Sequence, residues 1–287
     1  MALNHERLLR QQPFIDQFQD YDRHASIFYA LSVGLGFDPL DPGQLPFVYE
    51  KNLRTLPTMT HVLGMQSDWI FDPENGIDLS QLLHAESGLR MHRPLPPAGR
   101  VKSRIRVTDI LDRGEGKGAF LRFERDLHDA ATNEHIATVT GTFLLRGDGG
   151  FGGKRGSIEP PVRIPDRAPD HVADLPTLPQ AALFYRLNDD PNPLHADPAV
   201  AKRAGFERPI LHGSCSYAVA CHAFLRAVTG YDGPLVKRFD VRFSAPVFPG
   251  ETIRSEFWKI GDGRYAFRAM VAEREAIVLN HGLAEHH

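Results

Sequence analysis

Apolar and polar residues alternate along three stretches in the first half of the chain, which predicts a meander of antiparallel strands. Alternation of this kind is typical of strands that bury one face of a sheet. The first stretch covers residues 100–111, and its inward set is Val101, Ser103, Ile105, Val107 and Asp109. Residues 119–127 and 135–145 form the next two strands, with a glycine-rich hairpin turn at residues 114–118 and a second turn at residues 129–134.

The residues before this meander predict a mixture of short elements. Residues 23–33 form a helix that begins after Asp22 and ends at Gly34 and Gly36, since Asp is a good N-cap and Gly a common helix end. Residues 81–91 are a strand. Weaker patterns predict a strand at residues 47–50, a short helix at residues 58–66 and a turn at residues 72–76.

The second half repeats the combination of helix and sheet. Residues 179–187 predict a short helix, and residues 214–228 predict a helix that is apolar on nearly all sides and therefore buried. Gly230 ends it. Strands follow at residues 236–243, 251–260, 265–272 and 276–280, with a hairpin turn at Asp262 and Gly263.

An internal repeat defines the expected domains. The proline- and glycine-rich residues 93–103 resemble residues 245–255, and a strand, a turn and a second strand follow in both places. The sequence therefore predicts an α+β protein of double hot-dog type, in which each unit is a long helix wrapped by an antiparallel sheet. The first unit spans residues 1–149 and the second spans residues 176–287. The intervening residues 150–175 have no periodic pattern and are expected to be a linker.

Composition narrows the class of protein. The 287 residues carry a net charge of −3, which gives no electrostatic footprint for nucleic acid. No secretory signal or membrane-spanning stretch is present in the sequence, so we expect no membrane partner. Cys215 and Cys221 are six residues apart on the predicted helix and cannot easily pair. Unpaired cysteines suit a reducing compartment, and a cytoplasmic location is expected.

Residues 187–213 carry the candidate chemistry. Pro191 and Pro193 prevent a helix, so Asp190, Asn192 and His195 lie on a stiff loop. A carboxylate, an amide and an imidazole held together are suited to acid–base catalysis. Asp197 and Pro198 begin a short helix that ends at Gly205, and Gly213 begins the long apolar helix. A metal site formed by Asp190, His195 and His212 is disfavoured because no second carboxylate or cysteine completes it, and none is predicted.

At these residues the chain resembles the MaoC-type (R)-specific enoyl-CoA hydratases, also called hydratase 2. It looks most similar to the hydratase unit of the peroxisomal multifunctional enzyme of β-oxidation. The family pattern is Ser-Gly-Asp-x-Asn-Pro-Leu-His, from which this chain departs at Asn188 and Asp189. Further resemblance lies at residues 29–31, 56–57, 82–84, 149–155 and 243–250.

The resemblance implies reversible addition of water to a trans-2-enoyl-CoA, with no cofactor because CoA is part of the substrate. Only the second unit would be catalytic, and the first would accommodate a bulky acyl chain. Asp190 would act as base and His195 as acid, since a neutral imidazole can donate a proton, although the reverse assignment stays open. Asn192 would orient the water or His195, and the Gly213 amide would hold the thioester oxygen. The implied substrate-binding residues are His84, Ala85, Arg113, Asp190, Pro191, Asn192, Pro193, Leu194, His195, Gly213 and Phe243.

Several alternatives remain open from the sequence. Ala85 stands where the family usually has glycine, and Lys154 with Arg155 is either a cationic rim for phosphates or a solvated pair. The same fold serves dehydratases that act on acyl-carrier protein. Asp189 beside Asp190 would favour a non-catalytic acyl-CoA binder if both carboxylates faced inward, since one would then be protonated. The assembly is expected to be a homodimer or a pseudo-dimeric monomer.

Overall fold

One antiparallel sheet of ten strands connects the two halves of the chain in the computed structural model, which describes residues 3–10, 15–231 and 236–286. The strand order is β1-β3-β4-β5-β2-β7-β10-β9-β8-β6. The bounds are β1 Gln17–Tyr21, β2 Leu82–Met91, β3 Gly99–Asp112, β4 Ala119–Asp129, β5 His135–Leu145, β6 His171–Pro176, β7 Arg238–Phe243, β8 Thr252–Gly261, β9 Arg264–Val271 and β10 Ala276–Glu285. The first five strands belong to one unit and the last five to the other. The units meet where β2 pairs with β7, with Gly88 opposite Asp240.

The helices of the described residues are mostly short. Their bounds are α1 His5–Arg10, α2 Arg23–Ser32, α3 Leu45–Val48, α4 Asp68–Phe71, α5 Ala181–Tyr185, α6 Pro198–Arg203 and α7 Gly213–Phe224. The 3₁₀ turns are Pro57–His61, Pro73–Asn75, Leu79–Gln81, Pro193–His195 and Ala272–Arg274, and the π-helical segment Leu225–Thr229 continues α7. None of these helices is long and apolar enough to cross a membrane.

The second unit is built around α7. Every residue from Cys215 to Phe224 is buried, as expected for a helix with apolar residues on all sides. Helical structure continues through Leu225–Thr229 and ends at Gly230, whose φ of 61° is the left-handed conformation that glycine adopts easily. The predicted helix at residues 214–228 is therefore confirmed, as is the double hot-dog fold class.

The first unit has shorter elements in the position that α7 occupies in the second unit. Its longest described helix, α2, has ten residues, and the Asp22 side chain caps it by accepting the Ala25 N–H at 2.8 Å. Gly34 follows with a φ of 87°. The 3₁₀ turn Pro57–His61 then covers the sheet, and all five of its residues are buried. The predicted helix at residues 23–33 is confirmed, but a short helix and a turn stand where one long helix was expected.

The strand predictions are confirmed for β2 to β5 and β7 to β9, with small shifts at their ends. The strand predicted at residues 276–280 is also present, but it continues to Glu285 as β10. The strand predicted at residues 47–50 is wrong. Residues Leu45–Val48 form helix α3 instead, where Pro46 fits the first helical turn and Phe47 packs against Tyr231. Strand β1 was missed because its sequence is mostly polar, and it forms an edge strand with four of its five residues outside the buried class.

The expected linker contains ordered structure. Strand β6 begins inside residues 150–175, ends at Pro176 and pairs with β8, so it belongs to the second unit. Asp112, at the end of β3, accepts the backbone N–H groups of Gly150 and Gly152 at 2.8 and 2.9 Å. The glycine-rich segment is therefore held against the first unit, and these hydrogen bonds lower the pKa of the Asp112 carboxyl.

Buried histidines make stability depend on pH. His61, His212 and His222 are each less than 9% exposed, and burial lowers the pKa to about 3, about 3 and about 4 respectively. As pH falls below the ordinary histidine pKa, these histidines become protonated in the unfolded state but stay neutral in the folded state. We expect the free energy of unfolding to fall by roughly 2 kcal/mol per histidine between pH 7 and pH 5. Urea titrations at the two pH values measure this, and a pH-independent result would contradict it.

Candidate active site

The loop that carries the predicted catalytic residues is folded by its own side chains. Asn192 accepts the Leu194 N–H through Oδ1 at 3.0 Å, and its carbonyl accepts the His195 N–H at 3.2 Å. Pro193 begins the 3₁₀ turn Pro193–His195 that these bonds close. Pro191, Asn192 and Pro193 are exposed, whereas His195 is buried. The loop therefore presents His195 inward from a surface position, and the Asn192 side chain positions it through the backbone.

One hydrogen bond fixes the tautomer of His195. Its Nδ1 lies 2.8 Å from the carbonyl oxygen of Ile210. A carbonyl only accepts, so Nδ1 carries the proton and Nε2 of the neutral ring has a free lone pair. Burial lowers the pKa of His195, against the smaller opposing effects of the Ile210 bond and the Asp190 charge. At neutral pH His195 therefore offers an acceptor, and the predicted role as a proton donor in its resting form does not hold.

Asp190 and His212 complete the arrangement around His195. Ligand atoms of Asp190, His195 and His212 lie within 4.8 Å of one another. His212 is 1% exposed, stacks on His195 at 3.7 Å between ring centroids, and places Nε2 at 3.3 Å from the Asp190 carbonyl. Since burial keeps His212 neutral, its Nε2–H can donate to that carbonyl. His212 was not among the predicted site residues, although its position just before the Gly213 helix start was a usable signal.

The same three residues are the group of potential metal ligands found within the described ranges. Two of their ring nitrogens already donate to carbonyls, namely Nδ1 of His195 and Nε2 of His212. A metal that used His212 through Nε2 would have to break its bond to the Asp190 carbonyl. The bonding pattern therefore suits acid–base chemistry better than metal ligation.

Asp189 faces away from Asp190 and His195. Its φ of 62° is in the left-handed region, and its exposed carboxylate accepts a hydrogen bond from Gln19 Nε2 at 3.1 Å. Aspartate tolerates this conformation better than most residues do. The positive φ also explains how a position that is glycine in the family accepts Asp189. A non-catalytic binder was favoured only if both carboxylates faced inward, and the Asp189 carboxylate faces outward.

Three of the predicted substrate-binding residues meet beside the N-terminus of α7. A Cβ on Gly213 would lie 3.2 Å from the Phe243 ring. The Phe243 ring in turn packs on His84, with 4.8 Å between centroids. Ala85 lies next to His84, at a register shift between β2 and β5. The backbone N–H of Gly213 has no backbone partner among the described residues, which leaves it available to a ligand.

Arg113 lies apart from this group, at the β3–β4 hairpin. Its side chain donates to the Lys117 carbonyl at 2.7 Å and stacks over Phe120. Strand register places the hairpin at the same end of the sheet as the start of β2, because Asp112, Ala119, Leu145 and Leu82 are successive partners. Nearby Lys154 forms an ion pair with Asp109 at 2.6 Å. Arg113 is thus an exposed cation at the end of the sheet where β2 begins, and its contacts are with its own hairpin.

Comparisons with known families cover both units. Residues 161–280 match the family described as MaoC like domain. Residues 19–147 match the family described as MFE-2 hydratase 2 N-terminal domain. The two matches together include every residue of the site discussed above, and they separate at the glycine-rich segment between the units.

Similar proteins align with nearly the whole chain. A 3-hydroxyacyl-thioester dehydratase Y of Mycobacterium tuberculosis is 37% identical over 96% of this chain and 95% of its own length. Enoyl-CoA hydratase ChsH3 of the same organism is 39% identical over 88% of both. The crystal structure of a MaoC-like dehydratase from Phytophthora capsici has a TM-score of 0.86 at 32% identity and covers 99% of both chains.

A more distant structure supports the architecture alone. A conserved hypothetical protein of Mycobacterium tuberculosis, described as having a double hotdog fold, has a TM-score of 0.53 at 15% identity over 94% of both chains. Full-length matches at more than 30% identity carry the stronger conclusion. The chain belongs to the MaoC-like hydratase family, with a first half of the MFE-2 hydratase 2 type.

Proposed function

We propose that this chain is an (R)-specific 2-enoyl-CoA hydratase of β-oxidation-type fatty-acid metabolism. It would add water reversibly, in the syn sense, to a trans-2-enoyl-CoA and give the (3R)-3-hydroxyacyl-CoA. The observation that carries the proposal is the Asp190–His195 pair, whose heteroatoms lie within 4.8 Å beside the free amide of Gly213. One water molecule with ordinary hydrogen bonds spans such a gap.

The tautomer of His195 sets the order of proton transfers. Water would donate one hydrogen bond to the Asp190 carboxylate and the other to His195 Nε2. As the water oxygen bonds to C3, Nε2 takes the proton and the π electrons move toward the thioester oxygen. The imidazolium, stabilised by the charge of Asp190, then returns that proton to C2 on the same face. This single-base route explains syn addition and revises the assignment of Asp190 as base and His195 as a resting acid.

The N-terminus of α7 would stabilise the enolate-like oxygen. The Gly213 N–H has no backbone partner within the described part of the chain, and the twelve-residue helix places its positive end there. His84, Ala85 and Phe243 would contact the acyl thioester next to it. Arg113 and the glycine-rich segment at residues 149–155 would face the CoA phosphates. No cofactor is needed, since CoA belongs to the substrate.

A second candidate is the reverse reaction, dehydration of a 3-hydroxyacyl thioester, which the name of one close relative supports. The same residues would catalyse it because the two directions share one transition state. The distinguishing feature is therefore the carrier, either CoA or acyl-carrier protein. A homodimer is proposed as the assembly, in addition to the pairing of two units within one chain.

The test is hydration of crotonyl-CoA and trans-2-decenoyl-CoA by the purified protein, followed through loss of the enoyl-thioester absorbance. The product is then offered separately to dehydrogenases specific for the (3R) and the (3S) alcohol. We expect oxidation only by the (3R)-specific enzyme, and lower activity on the matching carrier-protein thioesters. A (3S) product would contradict the proposal, and a preference for carrier-protein substrates would favour the dehydratase.

A further inference from the structure

Buried polar side chains extend from the catalytic pair into the first unit. Tyr185 packs beside His212 with 5.0 Å between ring centroids, and Tyr29 lies 6.1 Å from Tyr185. Both tyrosine hydroxyls are buried and interact with each other, and the Tyr29 hydroxyl also interacts with that of Thr58. The His61 ring interacts in turn with the Thr58 backbone. These groups therefore form a connected row of buried polar side chains.

The row ends at Arg125, on the inner face of β4. Arg125 is 4% exposed and lies opposite Ile105 on one side and Val139 on the other. It forms no ion pair with a carboxylate of the described residues, and desolvation lowers the pKa of the guanidinium to about 10. A buried cation without a counter-charge is costly, and proteins normally pair or remove it.

Part of the guanidinium has a structural role. Arg125 Nη2 donates to the carbonyls of Thr60 and His61 at 2.9 and 2.7 Å, which holds the 3₁₀ turn Pro57–His61 on the sheet. A neutral amide donor would serve this purpose without the cost of a buried charge. The Nε atom is buried and has no partner. This structural role explains neither the positive charge of Arg125 nor its unpartnered Nε.

A series of packed side chains connects Arg125 with the N-terminal part of α7. Tyr217 lies four residues after Gly213 on α7, a rise of about 6 Å. Its ring packs on His61 with 4.7 Å between centroids, and the His61 carbonyl accepts a hydrogen bond from Arg125. On the opposite side His61 Nε2 is 3.0 Å from Ser87 Oγ on β2. His61 therefore lies between α7 and β2 and has a hydrogen-bonding side chain on each side.

We propose that Arg125 binds a carboxylate at the far end of the acyl chain, so that the preferred substrates are enoyl-CoA thioesters of dicarboxylic acids. The buried polar groups near His61 would hydrogen-bond to water molecules that accompany the acyl chain. This inference rests on the proposed hydratase function and specifies its substrate class. It also gives the first unit, which lacks the catalytic motif, a definite contribution to specificity.

The test measures binding of two unreactive saturated thioesters by calorimetry: decanoyl-CoA, and the CoA monothioester of decanedioic acid. The wild-type protein is expected to bind the dicarboxylic ligand about 10- to 100-fold more tightly, the scale of a hydrogen bond to a charged group. Arg125→Met should abolish this preference, and Arg125→Lys should retain part of it. Arg125→Gln keeps a donor for the two carbonyls without the charge, and it should also lose the preference.

The matched control is Arg122→Met, which removes the same charge from an exposed position three residues earlier on β4. It should leave both affinities unchanged. Equal affinity of the wild type for the two ligands would overturn the inference, even if no Arg125 variant folds. So would equal losses for both ligands in Arg125→Gln, which would make Arg125 purely structural. Hydration of crotonyl-CoA is measured in parallel, so failure of the hydratase function is seen separately.

Discussion

Asp190→Asn and His195→Gln are each expected to lower kcat by about 10²–10⁴-fold, the usual scale for loss of a general acid or base. Asparagine keeps the size of Asp190 but cannot hold the imidazolium by charge. Glutamine at 195 cannot take the proton from water. Substrate affinity should change little, because the proposed CoA contacts lie at the other residues of the site. Steady-state hydration of crotonyl-CoA, with saturated-thioester binding measured alongside, separates the two effects.

The double variant is the stricter test of this pair. If both residues act on one water molecule, the double variant should be scarcely slower than the worse single variant. The matched control is Asp189→Gly, the neighbouring carboxylate that faces Gln19. This variant should leave kcat unchanged, and it should remove the strain of a non-glycine residue in the left-handed region. A nearly active Asp190→Asn together with an inactive Asp189→Gly would make Asp189 the functional carboxylate.

Gly213→Val is expected to lower kcat/KM by about 10²–10³-fold, comparable with loss of an oxyanion donor. The first added carbon already lies 3.2 Å from the Phe243 ring. The branched side chain would therefore stand between the free amide and the approaching thioester oxygen. The defect should be present with every acyl chain length, since the reacting carbonyl is common to all substrates.

Ser214→Val is the control for that change, because it places the same side chain on the next residue of α7 and leaves the Gly213 amide open. Thermal unfolding of both variants shows whether α7 still folds. If Gly213→Val proved as active as the wild type while folded, the proposed oxyanion site would be wrong. If Ser214→Val lost as much activity, the effect would belong to the helix start in general.

The local sequence pattern determined those elements of the fold whose apolar residues recur with a clear period. Strands β3, β4 and β5 followed from alternation and their turns, and α7 followed from an apolar run that ends at Gly230. The helix starts at Asp22 and Asp197 followed from cap chemistry, which depends only on neighbouring residues. Elements with weak local signals were missed or misread, as β1, β6 and α3 show, because neighbouring chain segments stabilise them.

The sequence by itself also determined which residues form the loop proposed to be catalytic, since the two prolines and the Asn192 turn act locally. Tertiary structure alone decided the proton positions. His195 donates to Ile210, fifteen residues away, and that long-range bond converts the expected proton donor into an acceptor. Tertiary structure likewise turned Asp189 outward toward Gln19 and buried Arg125 in the first unit, where no described carboxylate pairs with it. Spacing along a chain fixes local geometry, whereas burial and distant partners fix charge and protonation.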